Sequence, residues 1–248
     1  MYYQILNEGN IDSPRIEYSD NLAMVYSIRS FDGKYTSLDT IANHYAGFLG
    51  QFSALGLPKG LQSGIYNILK HKGGAMRLLI PSHLAYGVNG FGSGSSGNVN
   101  GRIAGNQCLD YFVRIVDNQD IYDKIAIKKY LATNSLSGYN ETPSGLFYKI
   151  TGSDTGAVIT QTSKVTVTYK LQLLNKVVIQ EQTASVDFLI DDLVKGAQEG
   201  LKLAKPGQTI SLLIPSNLGY GRPANTSGIP GFSCLVFDFD IKKTVELL

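Results

Sequence analysis

Strict alternation of apolar and polar residues marks the clearest strands in this chain. Val165, Val167, Tyr169, Leu171 and Leu173 alternate with Thr166, Thr168, Lys170 and Gln172. A side-chain period of two puts one such set on a buried face and the other in water. Residues 234–241 repeat the pattern, and Met76–Ile80 and Thr209–Ile214 read as short core strands. The period changes at Leu61, Ile65, Ile68 and Leu69, and again at Val194, Ala197, Leu201 and Ala204. Both sets form a single apolar stripe on a helix. Asp117 to Thr133 carries Ile121, Ile125 and Lys128–Lys129 at helical spacing, and residues 134–145 are then rich in Ser, Gly and Asn and read as a loop. Short helices beside antiparallel strands predict an α+β fold.

The elements recur in order. Met76-Arg-Leu-Leu-Ile-Pro-Ser-His-Leu-Ala-Tyr-Gly87 matches Ile210-Ser-Leu-Leu-Ile-Pro-Ser-Asn-Leu-Gly-Tyr-Gly221. Upstream, Gly60-Leu-Gln-Ser-Gly64 mirrors Gly196-Ala-Gln-Glu-Gly200, and Leu22–Tyr26 mirrors Val165–Tyr169. Downstream, Ile103-Ala-Gly-Asn-Gln-Cys-Leu-Asp-Tyr111 mirrors Ile229-Pro-Gly-Phe-Ser-Cys-Leu-Val-Phe237. Tyr3-Gln-Ile-Leu6 and Tyr148-Lys-Ile-Thr151 open the two copies. Matching blocks in one order mean one fold used twice. The expected division is a first domain at 1–116, a linker helix and connector at 117–145, and a second domain at 146–248.

Composition narrows the function classes. The 248 residues suffice for two modest domains, and the net charge of +2 gives no argument for nucleic acid or a membrane surface. No stretch approaches the roughly 20 apolar residues of a membrane span. Cys108 and Cys234 fall at equivalent positions of the two copies, so they read as separate free thiols. His44, His71 and His83 lack a ligand spacing, so no metal is expected. The Gly-rich stretch Val88–Arg102 has no Gly-Lys-Ser/Thr ending, which argues against a nucleotide site, and no cofactor is expected.

Both copies resemble FKBP-type (immunophilin) peptidyl-prolyl cis-trans isomerases, through Ile-Pro-x-x-Leu-x-Tyr-Gly, the preceding Gly-x-x-x-Gly helix and the closing strand. The resemblance implies two domains, each a curved antiparallel sheet wrapped on a short helix, with a pocket between them. It implies binding of proline-containing polypeptide and isomerisation of X–Pro bonds. It also suggests an envelope-associated bacterial protein acting in the periplasm or at the cell envelope, with a cytoplasmic site as the alternative.

The chemistry fits such a pocket. Rotation about a peptide bond meets a barrier of about 18–20 kcal/mol because resonance holds it planar. The two isomers of an X–Pro bond are close in energy, so no nucleophile or metal is needed. A water-poor aromatic slot favours the twisted, less polar amide over the planar one. By resemblance the catalytic residues are Tyr86 and Tyr220, whose hydroxyls would donate to substrate. The first slot would be lined by Tyr26, Tyr35, Leu61, Ile103 and Tyr111. The second would be lined by Tyr169, Ile179, Val194, Ala197, Ile229 and Phe237.

The departures are as informative as the matches. The family's floor tryptophan is Leu61 in one copy and Ala197 in the other, and the chain has no tryptophan. The family's Phe-Asp pair is Tyr35-Thr36 and Ile179-Gln180, so the acid is missing from both. The residue two before the helix glycine normally offers an N–H; Pro58 has none, whereas Val194 does. Three readings follow: a pair of weak isomerases, a non-catalytic tandem binding module, or a structural tandem with filled slots.

Overall fold

The computed structural model describes residues 1–41, 43–50, 57–92, 102–154, 156–222 and 228–246. The chain divides into two compact units, Met1–Asn118 and Gln119–Leu248. Each contains one antiparallel sheet with a short helix against it, the α+β arrangement expected from the alternating pattern.

In the first unit the strands are β1 (Tyr2–Asn7), β2 (Asn21–Ser30), β3 (Thr36–Ser37), β4 (His44–Phe48), β5 (Ala75–Ile80) and β6 (Leu109–Val116). Their order is β1-β5-β6-β2-β3, with β4 also on β2. Helix α1 (Lys59–Gly64) widens into a π-type turn over Ile65–Leu69, ended by Lys70 at φ +66°. Leu61, Ile65 and Leu69 are buried with Met24, Leu78, Ile80 and Tyr111, while Ile68 is only partly covered.

The second unit repeats this plan. Helix α2 (Gln119–Thr133) precedes β7 (Asn140–Glu141), β8 (Phe147–Gly152), β9 (Ser163–Leu173), β10 (Val178–Leu189), helix α3 (Lys195–Leu201), β11 (Gln208–Ile214) and β12 (Leu235–Glu246). The order β10-β9-β12-β11-β8-β7 superposes β8, β11, β12 and β9 on β1, β5, β6 and β2 of the first unit. Ala197, Leu201, Ile210, Leu212, Phe237 and Phe239 share its core.

The repeated Gly-x-x-x-Gly has a steric cause. A Cβ on Gly60 would stand 2.5 Å from Ile80 Cγ2, and one on Gly196 would stand 2.4 Å from Ile214 Cγ2. Only a bare backbone lets the helix lie this close to the strand that carries the Pro-Ser turn. A second repeated device holds the segment before each helix. Gln62 Nε2 donates to the Leu57 carbonyl at 2.9 Å, and Gln198 Nε2 donates to the Leu193 carbonyl at 2.7 Å.

Helix α2 departs from the expected face. Ile121 and Ile125 are 58% and 62% exposed, whereas Asp123 and Ile127 are the buried residues. The helix clusters with the second unit, inside 119–248. Tyr130 Oη accepts from Gln172 at 3.5 Å, so the helix reaches the sheet's outer face. Phe147, Leu213 and Val236, on that face by strand alternation, are buried outside the main core. Both cysteines are free; Cys234 is buried and Cys108 partly so. No described helix is long and apolar enough to cross a membrane, and no cluster of potential metal ligands occurs among the described residues.

Candidate functional site

In the second unit a cavity of about 270 Å³ lies between helix α3 and the sheet. Strand alternation supplies its walls. Tyr169 and Leu171 come from β9, Phe188 from β10, and Phe237 and Phe239 from β12, all on the face turned to the helix. The Phe237 and Phe239 rings stack at 4.9 Å and 7°, and Tyr169 sits 5.6 Å from Phe188, 6.2 Å from Phe237 and 5.9 Å from Phe239. Aromatic pairs at these separations are mutually attractive and rigid, so the slot is preformed.

The helix side contributes Leu193, Val194 and Ala197. Val194 is the N-cap of α3 and keeps an amide N–H at the cavity wall. Pro58 is the corresponding N-cap of α1 and has none. Tyr220 lines the cavity and is 40% exposed, which places it at the mouth. Burial, reinforced by the neighbouring Tyr220, pushes the Tyr169 phenol above its ordinary pKa, so it stays a protonated donor at neutral pH.

The cavity thus brings together Tyr169, Val194, Ala197, Tyr220 and Phe237. Ile179 and Ile229 are not on its wall among the described residues: Ile229 is wholly buried in the core and Ile179 packs against it. A register shift between Val178 and Gln180 in the pairing of β10 with β9 sets Gln180 opposite Leu171 and on the cavity wall, while Ile179 packs on the core. Sequence reasoning missed Leu171, Phe188, Asp192, Leu193 and Phe239. Asp192 brings a carboxylate to the site from the loop before α3, although the expected acid position holds Gln180.

Phe239 resolves the question of the missing floor. Alanine at 197 leaves room, and the opposing position on the closing strand is a phenylalanine. The first unit reverses the sizes, with Leu61 on the helix and Val113 at the strand position matching Phe239. Each pair lies within its unit's core with the sizes exchanged, which predicts that the two residues share one space. A signal was therefore present in the sequence: the two sizes change together between the copies.

The first unit arranges its residues differently. Leu61, Ile103 and Tyr111 are buried, with Tyr26, Tyr35 and Tyr86 packed against the same cluster. Tyr26 and Tyr111 are 5.6 Å apart. Burial first, then the neighbouring Tyr26 and Tyr35 phenols, push Tyr86 well above its ordinary pKa. Tyr111 is raised by burial and by Tyr86, Tyr26 and Tyr35, so four phenols converge. Phe91 lies flat on Tyr86, with ring centroids 4.4 Å apart and planes 18° apart. It is held there by two backbone hydrogen bonds with Ile103, each 2.9 Å. Tyr86 is therefore covered by the chain's own phenylalanine, whereas Tyr220 is open. Of the two stretches expected as flaps, 93–101 and 223–227 lie outside the described residues.

Comparison with known proteins agrees with this geometry. Residues 156–242 match the family model of FKBP-type peptidyl-prolyl cis-trans isomerases. The chain is 35% identical over 116 residues to the isomerase FkpA of Buchnera aphidicola, covering 46% of this chain and 48% of that protein. It is 39% identical over 103 residues to a probable FKBP-type isomerase of Haemophilus influenzae, covering 40% and 43%. Mouse FKBP9 is 24% identical over 234 residues, which is 94% of this chain and 36% of that protein. The chain spans about half or less of the length of these curated relatives. The aromatic cavity beneath the second Leu-x-Tyr-Gly turn therefore lies within the stretch, residues 156–242, that matches the FKBP-type peptidyl-prolyl cis-trans isomerase family, and the first unit repeats the same α+β plan.

Proposed function

We propose that the second unit takes X–Pro segments of polypeptide into the cavity under Tyr220 and speeds their cis–trans isomerisation. The observation that carries this reading is the preformed aromatic slot with one hydroxyl at its mouth. The apolar walls strip water from the amide, which favours the twisted bond with its reduced charge separation. Tyr220 Oη and the Val194 N–H are donors suited to the substrate carbonyls, holding the chain while the bond turns. Site residues in the first unit act, on this reading, as packing, because Phe91 already covers one face of the Tyr86 ring.

The test is a protease-coupled isomerase assay on the full chain with a Leu-Pro peptide. Tyr220→Phe is expected to lower kcat/KM about tenfold, in line with loss of one hydrogen bond, and Tyr86→Phe to leave it unchanged. Equal losses from both changes would contradict the assignment to the second unit.

A second reading, binding without turnover, draws on Gln180, which puts an uncharged amide at the wall where the family carries an acid. Saturable peptide binding with no rate enhancement would select it. By the same family resemblance we place the protein at the cell envelope, which fractionation of the source cells would check.

A further inference from the structure

Asp123 is a carboxylate only 1% exposed, on helix α2, outside the repeated fold. Burying a charge is costly unless it is fully hydrogen-bonded. Here the satisfaction is dense. Its Oδ2 accepts the Ser216 backbone N–H at 2.8 Å and the Ser216 hydroxyl at 2.6 Å. Its Oδ1 accepts Gln119 Nε2 at 2.6 Å, and the buried Cys234 thiol lies close enough to interact with the carboxylate. Burial pushes the carboxyl above its ordinary pKa, while the bonds from Ser216, Gln119 and Cys234 draw it back.

The two groups it joins lie on either side of Tyr220. Ser216 follows Pro215 and opens the single turn Ser216–Leu218. Its carbonyl accepts the N–H of Gly219 at 3.1 Å and of Gly221 at 2.9 Å. Cys234 stands immediately before β12, at the far end of the same excursion. Tyr220 itself sits between two glycines, and Gly221 has φ +71°. Neighbours without side chains cannot hold the tyrosine by packing, so its aim depends on how the turn is anchored.

We infer that Asp123 is a positioning residue: by clasping Ser216 and Cys234 it fixes the turn that points Tyr220 at the cavity. Helix α2 is then a working part of the second unit's site. This inference rests on the reading of that cavity given above. Loosening the clasp moves the Tyr220 hydroxyl while the aromatic walls from β9, β10 and β12 stay in place, so it costs rate more than binding.

The test uses the full chain with Asp123→Asn, Asp123→Ala and Ser216→Ala. Tyr220 ring resonances are read by NMR on tyrosine-labelled protein, and kcat and KM by the coupled assay. Asp123→Ala is expected to shift the Tyr220 ring signals, to lower kcat about tenfold and to change KM less than twofold. Asp123→Asn keeps an oxygen for the Ser216 N–H and is expected to recover part of the loss. Unmoved Tyr220 signals with unchanged kcat in folded Asp123→Ala protein would overturn the inference. If Asp123→Ala does not fold, Asp123→Asn and Ser216→Ala carry the test by the same criteria. If the wild-type protein shows no turnover, the functional reading fails separately, and the ring signals alone decide whether Asp123 positions Tyr220.

Discussion

The exchange of sizes between Ala197 and Phe239 can be tested as a double-mutant cycle. Phe239 is 1% exposed, and changing it to Val removes several buried ring carbons. At about 0.8 kcal/mol per buried carbon group, and with a cavity left behind, the expected loss is about 2–4 kcal/mol. Ala197 is fully buried, so Leu there forces extra carbons against the Phe239 ring and costs about 1–3 kcal/mol. The double change Ala197→Leu with Phe239→Val installs the pairing that the first unit already uses, Leu61 with Val113. It should therefore be less damaging than the sum of the singles by about 1–3 kcal/mol. Urea titration followed by methyl NMR signals of the second unit gives the three free energies. Additivity within about 0.5 kcal/mol would refute the claim that these residues share one space.

Other outcomes follow from individual contacts. Gly196→Ala should destabilise the second unit by about 1–3 kcal/mol, because its Cβ would meet Ile214 only 2.4 Å away, outweighing the helical preference for alanine; a urea melt measures it. His44, whose pKa burial lowers from 6.5 to about 4, must be neutral when folded. Its folded pKa lies below the unfolded one, so its contribution is present above pH 6.5 and is lost as pH falls towards 4. His44→Leu should flatten first-unit stability over that window, and an unchanged slope would show that another group titrates there. Phe91→Ala should uncover Tyr86, read as faster nitration of that ring by tetranitromethane, with no change at Tyr111.

Much of the fold was legible because the repeat tested each pattern twice. The alternation of 165–173 and the runs before Pro81 and Pro215 became β9, β5 and β11, and the glycine pairs marked the close helix–strand contact. The cavity lining was legible where a family position keeps its residue type, as at Tyr169, Tyr220 and Phe237. It was not legible where the geometry of one loop decides. Asp192 reads as a solvated charge until the turn before α3 brings it to the cavity. Helix α2 shows the reverse failure. Ile121 and Ile125 suggested the apolar face, yet the helix buries a hydrogen-bonded carboxylate beside Ile127, and no periodicity of hydrophobic residues reports the carboxylate. Phe91 was hidden for a related reason: a lone aromatic in a Gly-rich stretch gives no sign of the ring it will cover.

The most direct measurement is an NMR titration of the full chain with a proline-containing peptide, with assigned signals from both units. Binding is expected to shift Tyr169, Val194, Ala197, Tyr220 and Phe237 together and saturably, while Tyr26, Leu61 and Tyr86 stay in place. Shifts confined to the first unit, or none around Tyr220 at saturating peptide, would contradict the claim that the open aromatic slot of the second unit is where proline is held.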